Sequence, residues 1–300
     1  MQPGLYDDKN NLIRSWEEIE KRCPSYSSKI VPYAFKNHVK ITKVVMPNTI
    51  KFIGNCAFKD CYNLKEVIFS NNLEIIDENA FQNSGIEKII FPDSLKTIGA
   101  KAFMQCDNLS SIKFPDNLKE IGYESFGACK ALESIILPQN LEEIKPRAFC
   151  ACSKLNNIKF NDKLRVIGYT AFAFTDIQKL SLPDSLVEIC NYAFGSNKNL
   201  EEIKFGKGKL CIGPDVFEGS KKLTSVKLPK NIERLGSYIF NDCPSLKEIT
   251  ITKENMKMFG DALEMYKDII NIEKDLEDLL DEGASFKEIN KIFKDKNIER

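Results

Sequence analysis

A phenylalanine, most often preceded by alanine, returns every 22 or 23 residues through most of this chain: Phe35, Phe58, Phe81, Phe103, Phe126, Phe149, Phe172, Phe194, Phe217 and Phe240. A second ladder keeps step with it, at Met46, Phe69, Phe91, Phe114, Leu137, Phe160, Leu182, Phe205, Leu228 and Ile251. A unit this short cannot bury its own large apolar side chains, so each unit needs a like neighbour above and below. That requirement leaves little room for any fold except a stack of rungs.

Two positions before each member of the second ladder stands another apolar residue, as at Val44, Val67, Ile89, Ile112 and Ile135. Apolar residues two apart mark a short strand with one buried face, so each repeat supplies one strand. Pro-Asp-Ser-Leu-Lys-Thr-Ile-Gly follows at 92–99, with relatives at 115–122 and 229–236. Proline lacks the N–H a ladder needs, and glycine accepts a positive φ, so the chain is expected to turn twice per repeat. Steps of 22 fall where Ser84-Gly85-Ile86 and Thr175-Asp176-Ile177 shorten a corner by one residue. One unit is ragged: Gly206-Lys207-Gly208-Lys209-Leu210 has no proline and displaces its leucine, which predicts a local irregularity.

The pattern Pro-x-x-Leu-x-x-Ile-Gly-x-x-Ala-Phe-x-x-Cys-x-x-Leu-x-x-Ile-x-Phe, as it stands at 92–114, resembles the BspA-like (Treponema-type) leucine-rich repeat. The likeness runs over about residues 31–252 and is met ten times in register. It implies a right-handed leucine-rich-repeat solenoid of ten rungs, with one parallel β-sheet face and short helical or irregular turns opposite. Members of the family serve varied binding roles, bacterial surface adhesins among them, and no active site is carried over with the motif.

Residues 1–30 do not repeat and are read as an N-terminal cap. Leu5 to Ile13 suits a hairpin with an Asp and Asn turn, and Ser15-Trp16-Glu17-Glu18 is a capping box opening a short helix. Asp7, Asp8, Asn10 and Asn11 lack the spacing and terminal glutamate of a calcium loop. From 253 to 300 the spacing becomes helical, with Phe259, Leu263, Tyr266, Ile270, Leu276 and Leu280 near one stripe of a long helix. A second capping box at Ser285-Phe286-Lys287-Glu288 opens another. This end holds nine Lys or Arg against thirteen Asp or Glu and is read as a helical cap or tail; its other reading is self-association or a partner contact.

Forty-three basic and forty-three acidic side chains balance, which argues against binding nucleic acid by bulk charge. No apolar run reaches membrane-spanning length, so insertion into a bilayer is not expected. Of ten cysteines, Cys61, Cys106, Cys129, Cys152 and Cys243 share one position of the repeat, where they serve as small packing groups and are expected to be reduced. With His38 as the one histidine, no metal set is apparent and no cofactor is expected. No basic and apolar leader is visible at the N-terminus, which points to the cytoplasm; a removed leader would place the chain at the cell surface or outside.

The outward strand columns carry the functional expectation. Glu66, Glu202 and Glu248 are spread among lysines and form no acid pair, so an enzyme is not expected. Val45, Ile68, Ile90 and Ile136 are apolar where later rungs carry Lys159, Lys204 and Lys227. With Glu66 and Lys88 beside them, they form the expected contact site for a partner protein on a non-catalytic scaffold. The alternatives are an adhesin-type surface protein and a self-assembling structural protein.

Overall fold

The computed structural model describes residues 2–22 and 27–273. The repeat strands stack in a single column: Lys43–Val45, Glu66–Ile68, Lys88–Ile90, Ser111–Lys113, Ser134–Ile136, Asn157–Lys159, Lys179–Ser181, Glu202–Lys204, Ser225–Lys227 and Glu248–Thr252. Their pairing is parallel and keeps the repeat register, with Val44 opposite Val67, Ile89 opposite Ile112, and Leu180 opposite Ile203. The second residue of each strand points into the core and its two neighbours point away from it, as the period of two requires. All ten anchor phenylalanines are buried. Their rings stack rung upon rung at centroid separations of 5.1 to 5.8 Å.

The expectation of a single sheet face needs correction. A second column of short parallel strands runs through Lys29–Ile30, Phe52–Ile53, Ile75–Ile76, Thr97–Ile98, Glu120–Ile121, Glu143–Ile144, Val166–Ile167, Glu188–Ile189, Leu210–Ile212 and Ile232–Leu235. The isoleucine of Leu-x-x-Ile-Gly is its buried residue, and a strand of two residues is too short to show a period of its own. The anchor side also bonds rung to rung through its backbone. Cys56, Phe58 and Asp60 N–H donate to the carbonyls of Glu78, Ala80 and Gln82 at 2.7 to 3.0 Å.

The role expected for the repeat glycine also changes. Its φ is not positive; instead two other residues of each rung take the left-handed region, two before and two after the anchor, as at Lys101 and Gln105 around Phe103. Glycine is needed for close approach. A Cβ on Gly122 would lie 2.7 Å from the Gly99 carbonyl carbon, and one on Gly236 would lie 2.2 Å from Pro214 N.

At the N-terminus Gly4–Tyr6 and Leu12–Ser15 form the expected hairpin, and helix α1 spans Trp16–Arg22. Ser15 Oγ accepts from Glu18 N–H at 3.2 Å while Glu18 Oε2 accepts from Ser15 N–H at 2.9 Å, the reciprocal capping box. Trp16 closes the phenylalanine stack at 6.5 Å from Phe35. The hairpin does more than cover the end: Gly4–Tyr6 pairs antiparallel with Lys43–Val45 and extends the sheet.

The long C-terminal helix is not what forms. Helix α2 covers Lys253–Leu263, a 3-10 turn follows at Glu264–Ile269, and Ile270–Glu273 is a strand parallel to Glu248–Thr252. The last rung would otherwise present a row of unpaired backbone groups, and Ile270-Asn271-Ile272 has the alternation to pair with them. An eleventh turn results. Leu276 and Leu280 of the expected stripe, and the second expected helix opened at Ser285, lie outside the described residues.

Candidate interaction surface

The strand column presents two outward rows. The row after each buried residue contains Val45, Ile68, Ile90, Lys113, Ile136, Lys159, Ser181, Lys204 and Lys227. Ile68, Ile90 and Ile136 are open to solvent, at 42%, 70% and 62% exposure. Ile68 and Ile90 sit on consecutive rungs, about 4.8 Å apart by strand spacing. Lys113 separates them from Ile136.

Val45 departs from the expected stripe, since it is buried opposite Gly4 of the hairpin. The hairpin supplies a substitute. A Cβ on Gly4 would lie 2.5 Å from Leu12 Cδ1, so Leu12 lies over Gly4 on the face that Val45 points toward. Leu12 is 42% exposed. The apolar surface therefore runs from Leu12 to Ile68 and Ile90. Sequence reasoning missed Leu12, because the pairing of the hairpin with the first repeat strand leaves no trace in the repeat spacing.

In the row before the buried residues, Lys43 Nζ pairs with Glu66 Oε2 at 2.8 Å, and Lys88 is exposed on the next rung. These charges border the apolar stripe. Farther along, Glu202 binds Lys204 at 2.9 Å and lies 3.9 Å from Lys179. The hydrogen bond and charge of Lys204 hold the Glu202 carboxyl below its ordinary range, the opposite of what a proton donor near neutral pH requires. Glu248 accepts from Asn271 at 2.9 Å, on the final strand. The strand-face glutamates are thus tied separately to neighbouring rungs. Among the described residues no three His, Cys, Asp or Glu side chains are grouped as metal ligands.

The cysteine column is a structural device. Cys61, Cys106, Cys129, Cys152 and Cys243 each donate Sγ–H to the carbonyl of an anchor phenylalanine one rung back, at 3.0 to 3.4 Å. Where the column carries Asn197 instead, its amide donates to Phe172 O at 2.9 Å. Burial pushes the Cys61, Cys106 and Cys243 thiols up to about 11 and raises Cys129 as well. All cysteines among the described residues are free thiols. No helix among the described residues is long and apolar enough to cross a membrane.

Comparison with known proteins agrees with this architecture. A family model described as BspA type leucine rich repeat region matches in six copies, over residues 28–154, 119–247 and 188–290. A leucine-rich repeat protein of Bacteroides ovatus is similar over 82% of this chain and 88% of its own, at 22% identity and a TM-score of 0.51. A leucine-rich repeat protein of T. pallidum shares 27% identity over 49% of this chain and 69% of its own, with a TM-score of 0.46. No curated protein matches the sequence.

Proposed function

The chain belongs to the BspA-type leucine-rich-repeat family, and from that premise we propose that it is a non-catalytic scaffold that binds a partner protein on the strand face of its N-terminal half. The observation that carries this reading is the exposed apolar surface of Leu12, Ile68 and Ile90 on the outward side of successive strands of the column. Isolated apolar side chains on a surface are ordinary, but neighbouring ones form the dry centre of an interface. The Lys43–Glu66 pair and Lys88 give that centre a polar rim. Ile136 extends the contact beyond Lys113 for a partner long enough to span four rungs.

The test is site-specific photo-cross-linking in the intact chain, with a photoreactive phenylalanine analogue at Ile90 or at Tyr238. Both residues are more than half exposed, and Tyr238 lies on the anchor side. A single protein band captured from Ile90, and absent from Tyr238, is the expected result. Capture from Tyr238 with none from Ile90 moves the site off the strand face.

A further inference from the structure

A groove lies beside the ragged repeat, between its strand and the next. Six of the ten second-ladder residues are followed by proline, whereas Phe205, the eighth, is followed by Gly206. After Phe160, the sixth, the buried Asn161 side chain fills the place by donating to Pro138 O and Leu141 O, and after Phe69 the place is taken by the buried Ser70. Gly206 has no side chain to do this. Its backbone lies instead against the preceding rung: a Cβ there would stand 2.4 Å from Pro183 O, and one on Gly208 would stand 2.2 Å from Asp184 O. On the side of the next rung the segment borders a groove of about 630 Å³, floored by Ile203, Phe205, Leu228 and Pro229. Its size falls in the range of ligand-binding clefts.

Four lysines line the same groove: Lys204 and Lys207 on one wall, Lys227 and Lys230 on the other. Lys204 is paired with Glu202 at 2.9 Å and Lys227 with Glu273 at 3.0 Å. Lys207 and Lys230 have no carboxylate within ion-pair distance among the described residues. Among the described residues the groove thus keeps two lysines whose ammonium groups have no ion pair beside an apolar floor, with the Asp184 carboxylate accepting from the Lys207 backbone N–H at 2.8 Å. Charge complementarity then asks for two carboxylates flanking an apolar body. A single-headed fatty acid supplies one carboxylate, while an acidic peptide supplies both. We infer that this groove binds an acidic segment of a partner polypeptide, with one large apolar side chain seated against Phe205 and Leu228 and flanking carboxylates facing Lys207 and Lys230. The site lies rungs away from the Ile68 and Ile90 surface and does not depend on it.

The test is fluorescence anisotropy on the full chain, with a labelled peptide Gly-Glu-Leu-Phe-Glu-Gly as the probe. Saturable binding is expected, weakened about tenfold or more in the Lys207→Glu/Lys230→Glu variant and reduced by added salt. The Lys119→Glu/Lys198→Glu variant makes the same charge change at exposed positions outside the groove and retains the affinity. A peptide with both Glu replaced by Gln, or with Leu and Phe replaced by Ser, does not bind. Circular dichroism melting confirms that each variant is folded. Equal affinity in the two double variants overturns the assignment, as does binding of the Ser-substituted peptide. Saturation by dodecanoate with no binding of the acidic peptide assigns the groove to a small amphiphile instead and equally overturns it.

Discussion

Phe149 has its ring 5.5 Å from Phe126 on one side and 5.4 Å from Phe172 on the other, with no solvent exposure. Truncation removes buried apolar area and leaves a void between two rings that the rung spacing holds apart. Phe149→Ala is therefore expected to lower unfolding free energy by about 3 to 5 kcal/mol, read from urea unfolding. The neighbouring thiols make a separate prediction about pH. Cys61 and Cys106 have an ordinary value near 9 and stay protonated in the fold to about 11. Between those values the unfolded chain has lost protons that the native state retains, so rising pH favours unfolding. Their contribution is intact below pH 9 and disappears as pH climbs to 11, at about 1.4 kcal/mol per pH unit for each thiol. Urea midpoints across that range are expected to fall, with a shallower fall in Cys106→Ala. Below pH 9 the column thiols are expected to resist labelling until the protein unfolds.

At the scale of single elements, the final strand tests how the solenoid ends. Tyr266 Oη accepts the Phe240 N–H at 3.1 Å and its ring meets Phe240 edge-on at 6.1 Å, so the 3-10 turn closes the anchor side while Ile270–Glu273 closes the sheet side. Tyr266→Phe keeps the ring and leaves a buried N–H without its acceptor, at a cost of about 1 to 3 kcal/mol. Hydrogen exchange is expected to accelerate at Phe240 and in the last rungs, leaving the first rungs unchanged. Elements also mark where sequence reasoning succeeds and where it stops. The ten anchors, the ten strands and the Ser15–Glu18 capping box were all legible, because each rests on spacing within one repeat or one turn. The burial of Val45, the strand at Ile270–Glu273 and the packing role of Gly122 were not. Each depends on which segment lies alongside in space: a hairpin forty residues away, an open edge, and the backbone of the rung below.

For the whole molecule, a stack in which each rung contacts its neighbours converts one repeat into a long surface, and differences between rungs distinguish one part of that surface from another. The apolar strand rows cluster at one end, where Leu12, Ile68 and Ile90 lie together, and the lysines gather toward the other around the groove beside Gly206. The first surface was half legible: Ile68, Ile90 and Ile136 follow from the alternation of a strand, while Leu12 required the hairpin. The second was announced by the ragged repeat alone, which told of irregularity without telling of space. The central claim is that the N-terminal strand face carries partner binding, and the affinity of the Ile68→Asp/Ile90→Asp variant for the partner cross-linked at position 90 tests it most directly. Both side chains are exposed, so the variant is expected to melt within about 2 °C of the parent chain. Its Kd is expected to rise about thirtyfold or more, matching the loss of about 2 kcal/mol at the centre of an interface. An unchanged Kd in a folded variant would contradict the account.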